Sequence, residues 1–218
     1  MQTLLLLDLD GTLIDTQHYE AWRSAARRVW TEDLTHEEYF MHMAGRTRQD
    51  GASRLIELKQ CSVRIGARCS HDADLLAEIK QSEFMRLSAN ARIFDDALRL
   101  LARVEWSQQQ VKFYTASENA PRIFEAALRR SGIHCAGRAV LQQRRDQTRK
   151  EFILSLVGEH PYEAVVLIDD APHAVDVACS LGIRAYQIRR NAVQSTATHP
   201  TAGIVSSLDD ITLPIRGL

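Results

Sequence analysis

Residues 3–14 read TLLLLDLDGTLI, an apolar run that breaks abruptly into two acids, a glycine and a threonine. The stretch Thr3–Leu9 has the length and continuity of a strand buried on both faces, as in a parallel sheet. Asp8 and Asp10 close it two residues apart, so strand alternation sends both to one side, and Gly11 permits the tight turn that follows. In an open parallel sheet, ligands gather beyond the carboxyl ends of the strands. Two carboxylates at such an edge suit a hard cation, or a nucleophile working with a proton donor. An ordinary acidic turn has the same appearance, so the rest of the chain has to decide.

Outward from this stretch, short apolar runs alternate with amphipathic ones, the pattern of an α/β, Rossmann-like parallel sheet with crossover helices. Val111–Thr115, Ala164–Ile168 and Ile183–Ile188 read as strands, with fainter ones at Ala139–Leu141 and Gly203–Ser206. Asp95–Val104, Pro121–Arg130 and Pro172–Leu181 read as helices, the last two opening on proline and followed by Gly132 and Gly182. Residues 16–91 differ. His18–Trp30, Thr35–Met43, Gln49–Leu58 and Asp72–Arg86 read as one helix after another with no strand between them. A helical block inserted after the first strand is the expected form of a cap domain. The expected division is therefore a core of residues 1–15 and 92–218 and a helical cap of residues 16–91.

The 218 residues allow one sizeable core plus a small insert. A formal net charge of -1 offers no electrostatic footprint for nucleic acid or an acidic membrane surface. The opening segment lacks the basic region of a signal peptide, and no apolar run approaches the roughly 20 residues of a membrane span. Cys61, Cys69, Cys135 and Cys179 form no CxxC pair, and Cys61, Cys69 and His71 lack zinc spacing. Reduced thiols and a cytoplasmic setting are the expectation.

Other strand ends carry their own polar groups. Thr115 ends one strand in FYTASEN, Asp169 and Asp170 end another in VVLIDDAP, and Lys150 stands just ahead of the helical Glu151–Val157. Taken singly, each has an ordinary explanation: Thr115 as a helix cap, Lys150 as a solvated charge, the two acids as a capping pair. Together, in this order and at element ends, they form a hydroxyl, an ammonium and a second acid pair able to converge on the first. Only four of the 27 basic side chains are lysines (Lys59, Lys80, Lys112 and Lys150), which gives the position of Lys150 added weight.

The string LLLLDLDGTLID resembles the first motif of the haloacid dehalogenase-like superfamily. Thr115, Lys150 and Asp169–Asp170 match its second, third and fourth motifs in order, across essentially the whole core. Within the superfamily the chain is most similar to the β-phosphoglucomutase-like group with a small helical cap. DTQHYEAW, TASEN and GRTRQD resemble that group's cap entrance, second motif and cap loop. The resemblance implies a phosphatase acting on a small phosphorylated metabolite through an aspartyl-phosphate on Asp8. A sugar-phosphate mutase is the alternative, and a non-catalytic binding protein of the same fold is a third reading. Asp10 is the implied general acid and base, and its presence favours phosphoryl transfer over dehalogenation. Mg²⁺ would be held by the Asp8 carboxylate, the Asp10 carbonyl and Asp170, with Asp169 beside or in its coordination sphere. Thr115 and Lys150 would stabilise the transferring phosphoryl group, with the amides of Leu9 and Ala116 and the neighbouring Ser117 and Asn119 completing its cradle. Arg48 is the implied cap-borne grip for an anionic substrate group, with Arg46 the weaker choice. The implied assembly is a monomer or weak homodimer.

The chain departs from that pattern in places. Lys150-Glu151 replaces the usual Lys-Pro, Phe94-Asp95-Asp96 replaces a usual Pro-Gly, and the cap entrance around His18 is about two residues shorter. Arg144-Arg145 and Arg189-Arg190 read as surface charges. Trp22 and Trp30 read as packing between cap and core.

Overall fold

The computed structural model of the protein describes residues 3–30, 33–44, 46–59, 73–106, 110–132, 139–144, 146–161 and 164–212. Cys61, Cys69, His71, Cys135 and Arg145 lie outside the described residues. Among the described residues, no helix is long and apolar enough to cross a membrane.

The chain divides into two compact units, one of Met1–Thr16, Ala91–Ala192 and Thr196–Leu218, the other of Gln17–Asn90 with Val193–Ser195. The first holds a six-stranded parallel sheet of β1 (Leu4–Asp8), β2 (Gln110–Thr115), β3 (Val140–Gln142), β4 (Val165–Asp169), β5 (Arg184–Ile188) and β6 (Gly203–Val205). The strand order is β3-β2-β1-β4-β5-β6. It reverses between β1 and β4, the topological switch point at which doubly wound sheets bind ligands. Every residue of β1 and β4 is buried, which explains their continuous rather than alternating apolar pattern.

Helices cover both faces of this sheet. Leu4, Leu6, Tyr114, Val165 and Leu167 share a core cluster with Phe152, Ile153 and Leu156 of α7 (Arg149–Val157) and Val175 and Ala178 of α8 (Pro172–Ser180). On the opposite face, Phe113 meets Phe124 edge-on at 5.0 Å between ring centroids. Phe124 belongs to α6 (Ala120–Ser131), which follows α5 (Asp95–Trp106) in the chain. Each leucine of Leu4–Leu7 is fully buried, contributing on the order of 2 kcal/mol apiece.

The second unit comprises α1 (His18–Val29), α2 (His36–His42), α3 (Arg48–Lys59) and α4 (Ala73–Ser88). α1 buries Ala21, Trp22, Ala25 and Ala26, the spacing of one helical face. Thr35 and Glu38 close a capping box that starts α2. Trp22 and Trp30 belong to this unit's own core, with Leu34, Leu55 and Leu76 around them. An amphipathic period shows that a face is covered but not which element covers it, and the unit's own residues are among those that do so here.

Gly51 of α3 explains why a helix tolerates glycine here. A Cβ at that position would stand 2.7 Å from Cζ2 of the buried Trp22 ring. Alanine is the better helix former by about 1 kcal/mol, but overpacking a rigid ring costs more. Gly51→Ala is therefore expected to destabilise the helical unit by about 1–2 kcal/mol. Denaturation followed by tryptophan fluorescence checks this.

Candidate active site

Alternation along β1 places Asp8 above Leu4 and Leu6, and along β4 it places Asp169 above Val165 and Leu167. The two strands are adjacent, with Leu7 opposite Ile168, and Asp8 stands opposite Tyr114 of β2. Three polar side chains from three neighbouring strands therefore crown one apolar face of the sheet. Asp170 follows directly at the end of β4. Ligand oxygens of Asp8, Asp169 and Asp170 all lie within 4.8 Å of one another.

Gly11 makes this convergence possible in two ways. Its φ of +74° turns the chain sharply after Asp10, and a Cβ there would come within 2.4 Å of Asp170 Oδ2. Only glycine meets both demands. The turn is closed by hydrogen bonds from Gly11 N to Ile14 O and from Leu13 N to Leu9 O. Asp10, half-buried, receives a hydrogen bond of 3.1 Å from Thr115 Oγ1 to its Oδ2. The same Thr115 oxygen accepts from Ser117 N at 2.9 Å. The hydroxyl assigned to a phosphoryl oxygen in the sequence reading thus faces Asp10.

Asp169 is held from both sides. Tyr114, fully buried, donates its hydroxyl to Asp169 Oδ2 at 2.6 Å, and Ala171 N–H donates to Oδ1 at 2.8 Å. Burial is also what pushes the Tyr114 phenol well above its usual range, with the Asp169 charge adding to it.

Lys150 does not join the cluster. Thr148 and Glu151 form a capping box that starts α7 at Arg149, so Arg149 and Lys150 occupy successive positions about 100° apart around the helix. Lys150 is exposed, while Arg149 is half-buried and acts electrostatically on Asp8, Asp169 and Asp170 alike. Arg149 Nη1 is buried with no hydrogen-bond partner among the described residues. The box Thr-x-x-Glu is the signal in the sequence that sets which of the two cations turns toward the acids.

Arg190 is also corrected from a surface charge. It donates to the carbonyls of Thr12 at 2.8 Å and Gly11 at 3.4 Å, bonds Asp96 Oδ2 at 2.6 Å, and stacks 4.0 Å above the Phe94 ring. Asp96 accepts in turn from Leu208 N. Burial alone would raise the Asp96 carboxyl, but the bonds from Arg190 and Leu208 hold it below the usual carboxylate range. The acid that broke the expected Pro-Gly thus anchors the loop carrying Asp10. Arg144 is exposed and pairs with Asp146, as a surface charge should.

Among the other anticipated residues, Ala116 is exposed, and Ser117 and Asn119 are half-buried between β2 and α6. Arg48 is the half-buried first residue of α3 in the helical unit, and Arg46 binds the carbonyl of His42. The helical unit also contains a buried ammonium that sequence reasoning passed over. Lys80 Nζ lies 3.1 Å from His18 Nδ1 and 4.5 Å from the centroid of Phe84, on which His18 stacks.

No family model matches the chain, and no curated protein matches it. Solved structures do. The chain has the haloacid dehalogenase-like fold. A predicted phosphoglycolate phosphatase from Haemophilus somnus 129PT superposes with a TM-score of 0.73 at 13% identity, covering 96% of each chain. A haloacid dehalogenase-like protein of unknown function from Agrobacterium tumefaciens str. C58 gives 0.71 at 16% identity, again over 96% of each. The archaeal β-phosphoglucomutase of Pyrococcus sp. strain ST 04 gives 0.67 at 19% identity, over 96% of this chain and 95% of its own. Such identities establish the haloacid dehalogenase-like fold, and the chemistry has to be argued from the site.

Its electrostatics fit a cation. Burial is the largest cause that raises Asp8 and Asp170 well above the usual carboxylate range, and mutual repulsion adds to it. Asp169 is raised as well, chiefly by burial, with Arg149 and the Tyr114 bond opposing. Groups with raised folded pKa values bind more protons folded than unfolded, so stability falls as pH climbs from about 4 through their folded values. Carboxylates lowered by ion pairing, such as Asp96, act in the opposite sense only at still lower pH. In chelator, the melting temperature is expected to drop across this window. A divalent ion should raise it more at pH 8 than at pH 5, which thermal denaturation with and without Mg²⁺ checks.

Proposed function

We propose that this chain is a Mg²⁺-dependent phosphatase that hydrolyses a small phosphorylated metabolite through a covalent phosphate on Asp8. The observation that carries the proposal is the convergence of Asp8, Asp169 and Asp170 at the β1–β4 switch point, beside an Asp10 bound to Thr115. Two buried acids and a half-buried third with one guanidinium near them are a poor structural element and a good receptor for a hard cation. Asp8, Asp170 and the Asp10 carbonyl would hold Mg²⁺, with Asp169 fixed beside them. When bound, the ion screens the anionic attacker from the anionic phosphate and favours the ionised form of Asp8.

The side chains divide the remaining work. An Asp8 carboxylate oxygen forms a bond to phosphorus in line as the bond from phosphorus to the ester oxygen breaks. Asp10 gives its proton to the departing oxygen. It then takes a proton from water, whose oxygen attacks phosphorus, releasing inorganic phosphate and restoring the Asp8 carboxylate. Thr115 keeps Asp10 aimed, and Arg149, rather than Lys150, neutralises charge on the transferring group. The helical unit is assigned the choice of substrate. A mutase reading is favoured by the TASEN and GRTRQD similarities, and it differs only in the hydroxyl that accepts the phosphate from Asp8.

A phosphate-release screen over common phosphorylated metabolites, with and without Mg²⁺, tests the proposal, and an isomer product without released phosphate would move it to the mutase. Asp8→Asn is expected to remove turnover while leaving the melting curve cooperative. Of the two adjacent cations, Arg149→Ala should lower kcat at least 100-fold and Lys150→Ala less than threefold, on the scale of a lost transition-state contact. Steady-state kinetics on the pair separates them, and the reverse order would return the role to Lys150.

A further inference from the structure

The turn that carries Asp10 is held by hydrogen bonds of two kinds. The carbonyls of Leu9, Leu13 and Ile14 accept from backbone amides, those of Gly11, Leu13 and Phe94 among them. The carbonyls of Gly11 and Thr12 accept instead from one side chain, Arg190, at 3.4 and 2.8 Å. Thr12 is fully buried, and a buried carbonyl that loses its donor is costly.

Arg190 is itself firmly placed. It stands two residues beyond the end of β5, and its side chain is only 21% exposed. Its Nη1 meets Asp96 Oδ2 at 2.6 Å, and its guanidinium lies 4.0 Å from the centroid of the Phe94 ring. Asp96, in the first turn of α5, also accepts from Leu208 N at 2.8 Å, at the head of the short turn Leu208–Asp210. Three nitrogens of Arg190 thus serve two carbonyls and a carboxylate, a task that suits a forked guanidinium and not a single ammonium.

We infer that Arg190 is a positioning residue for the proton that Asp10 delivers: by fixing the turn, it keeps the Asp10 carboxyl within reach of the departing oxygen. Thr115 Oγ1 bonds the Asp10 carboxylate, whereas Arg190 bonds the backbone one and two residues further on. A bond at the tip of a side chain does not by itself fix the backbone from which that side chain springs. A displacement of about 1 Å at a reacting group can cost on the order of a hundredfold in rate. The consequence is specific to the leaving group. An ester whose leaving oxygen needs a proton suffers when Asp10 is misplaced, and one that departs as a stable anion does not. Arg190 acts only through the turn and touches no substrate in this account.

This inference rests on the phosphatase reading of the site, and leaving-group dependence separates the two. With MgCl₂ present, kcat/KM is measured for phenyl phosphate, a poor leaving group, and for dinitrophenyl phosphate, a good one. The proteins compared are wild type, Asp10→Asn, Arg190→Ala, Arg190→Lys and Arg99→Ala. Asp10→Asn sets the scale of the split between the esters. Arg190→Ala is expected to lower the phenyl value at least about 30-fold and the dinitrophenyl value less than about threefold, with Arg190→Lys between it and wild type. Arg99→Ala breaks an exposed pair between α5 and Asp209, and should keep both values within about twofold. A merely structural role for Arg190 lowers both esters alike or neither, which overturns the inference and spares the phosphatase. If Asp10→Asn shows no split, proton delivery by Asp10 fails and the inference falls with it. If wild type hydrolyses neither ester, the phosphatase reading fails as well. Should Arg190→Ala not fold, the split in Arg190→Lys decides, and if neither variant folds the contact is structural and the inference is overturned.

Discussion

Three carboxylates brought within 4.8 Å of one another in a largely dry setting are the constraint around which the sheet unit is arranged. Left to themselves, Asp8, Asp169 and Asp170 repel, and burial disfavours their charges further. The fold restrains them with stiff elements. β1 and β4 are anchored by fully buried leucines and β-branched residues, and parallel register sets Asp8 and Asp169 side by side. Gly11 yields the space that the Asp170 carboxylate occupies, so the third acid can close in. Stability is sacrificed at a strand end to create a concentrated negative potential. A protein with no use for a cation would gain by losing any one of these acids.

A ring of polar contacts around the cluster keeps each acid in its own orientation. Tyr114 and Ala171 hold Asp169, Thr115 holds Asp10, and Arg190 grips the carbonyls of the loop between them. Arg190 is fixed in turn by Asp96 and the Phe94 ring. These supports come from β2, the turns that follow β4 and β5, and the start of α5, segments far apart in sequence. Their shared effect is that little has to reorganise when a charged ligand arrives.

The core of this arrangement was legible in the sequence because its signals are local. An unbroken apolar run ending in acids marks a buried strand and its functional end, and Pro and Gly mark the helices between. What escaped depended on side-chain direction or long-range partners. Lys150 drew attention as a rare lysine, yet the Thr148–Glu151 capping box rotates Arg149 toward the acids and Lys150 to solvent. Tyr114 looked like one more residue of a strand, since nothing in the local pattern reveals that its hydroxyl meets Asp169. Arg190 sits in a charged pair that resembles a solvated turn, and its partners, residues 11, 12, 94 and 96, are at least 94 positions away. Periodicity marks the tryptophans of the helical unit as buried, but it reports a face and not the residues of that unit's own core that cover it.

The central claim, that these acids form a cation site beside a nucleophilic Asp8, is tested most directly by anomalous diffraction from crystals grown with Mn²⁺ in place of Mg²⁺. The account predicts one strong anomalous peak within bonding distance of the Asp8 and Asp170 carboxylates. A saturated crystal with no peak at the ends of β1 and β4, or with its manganese bound elsewhere in the chain, would contradict it.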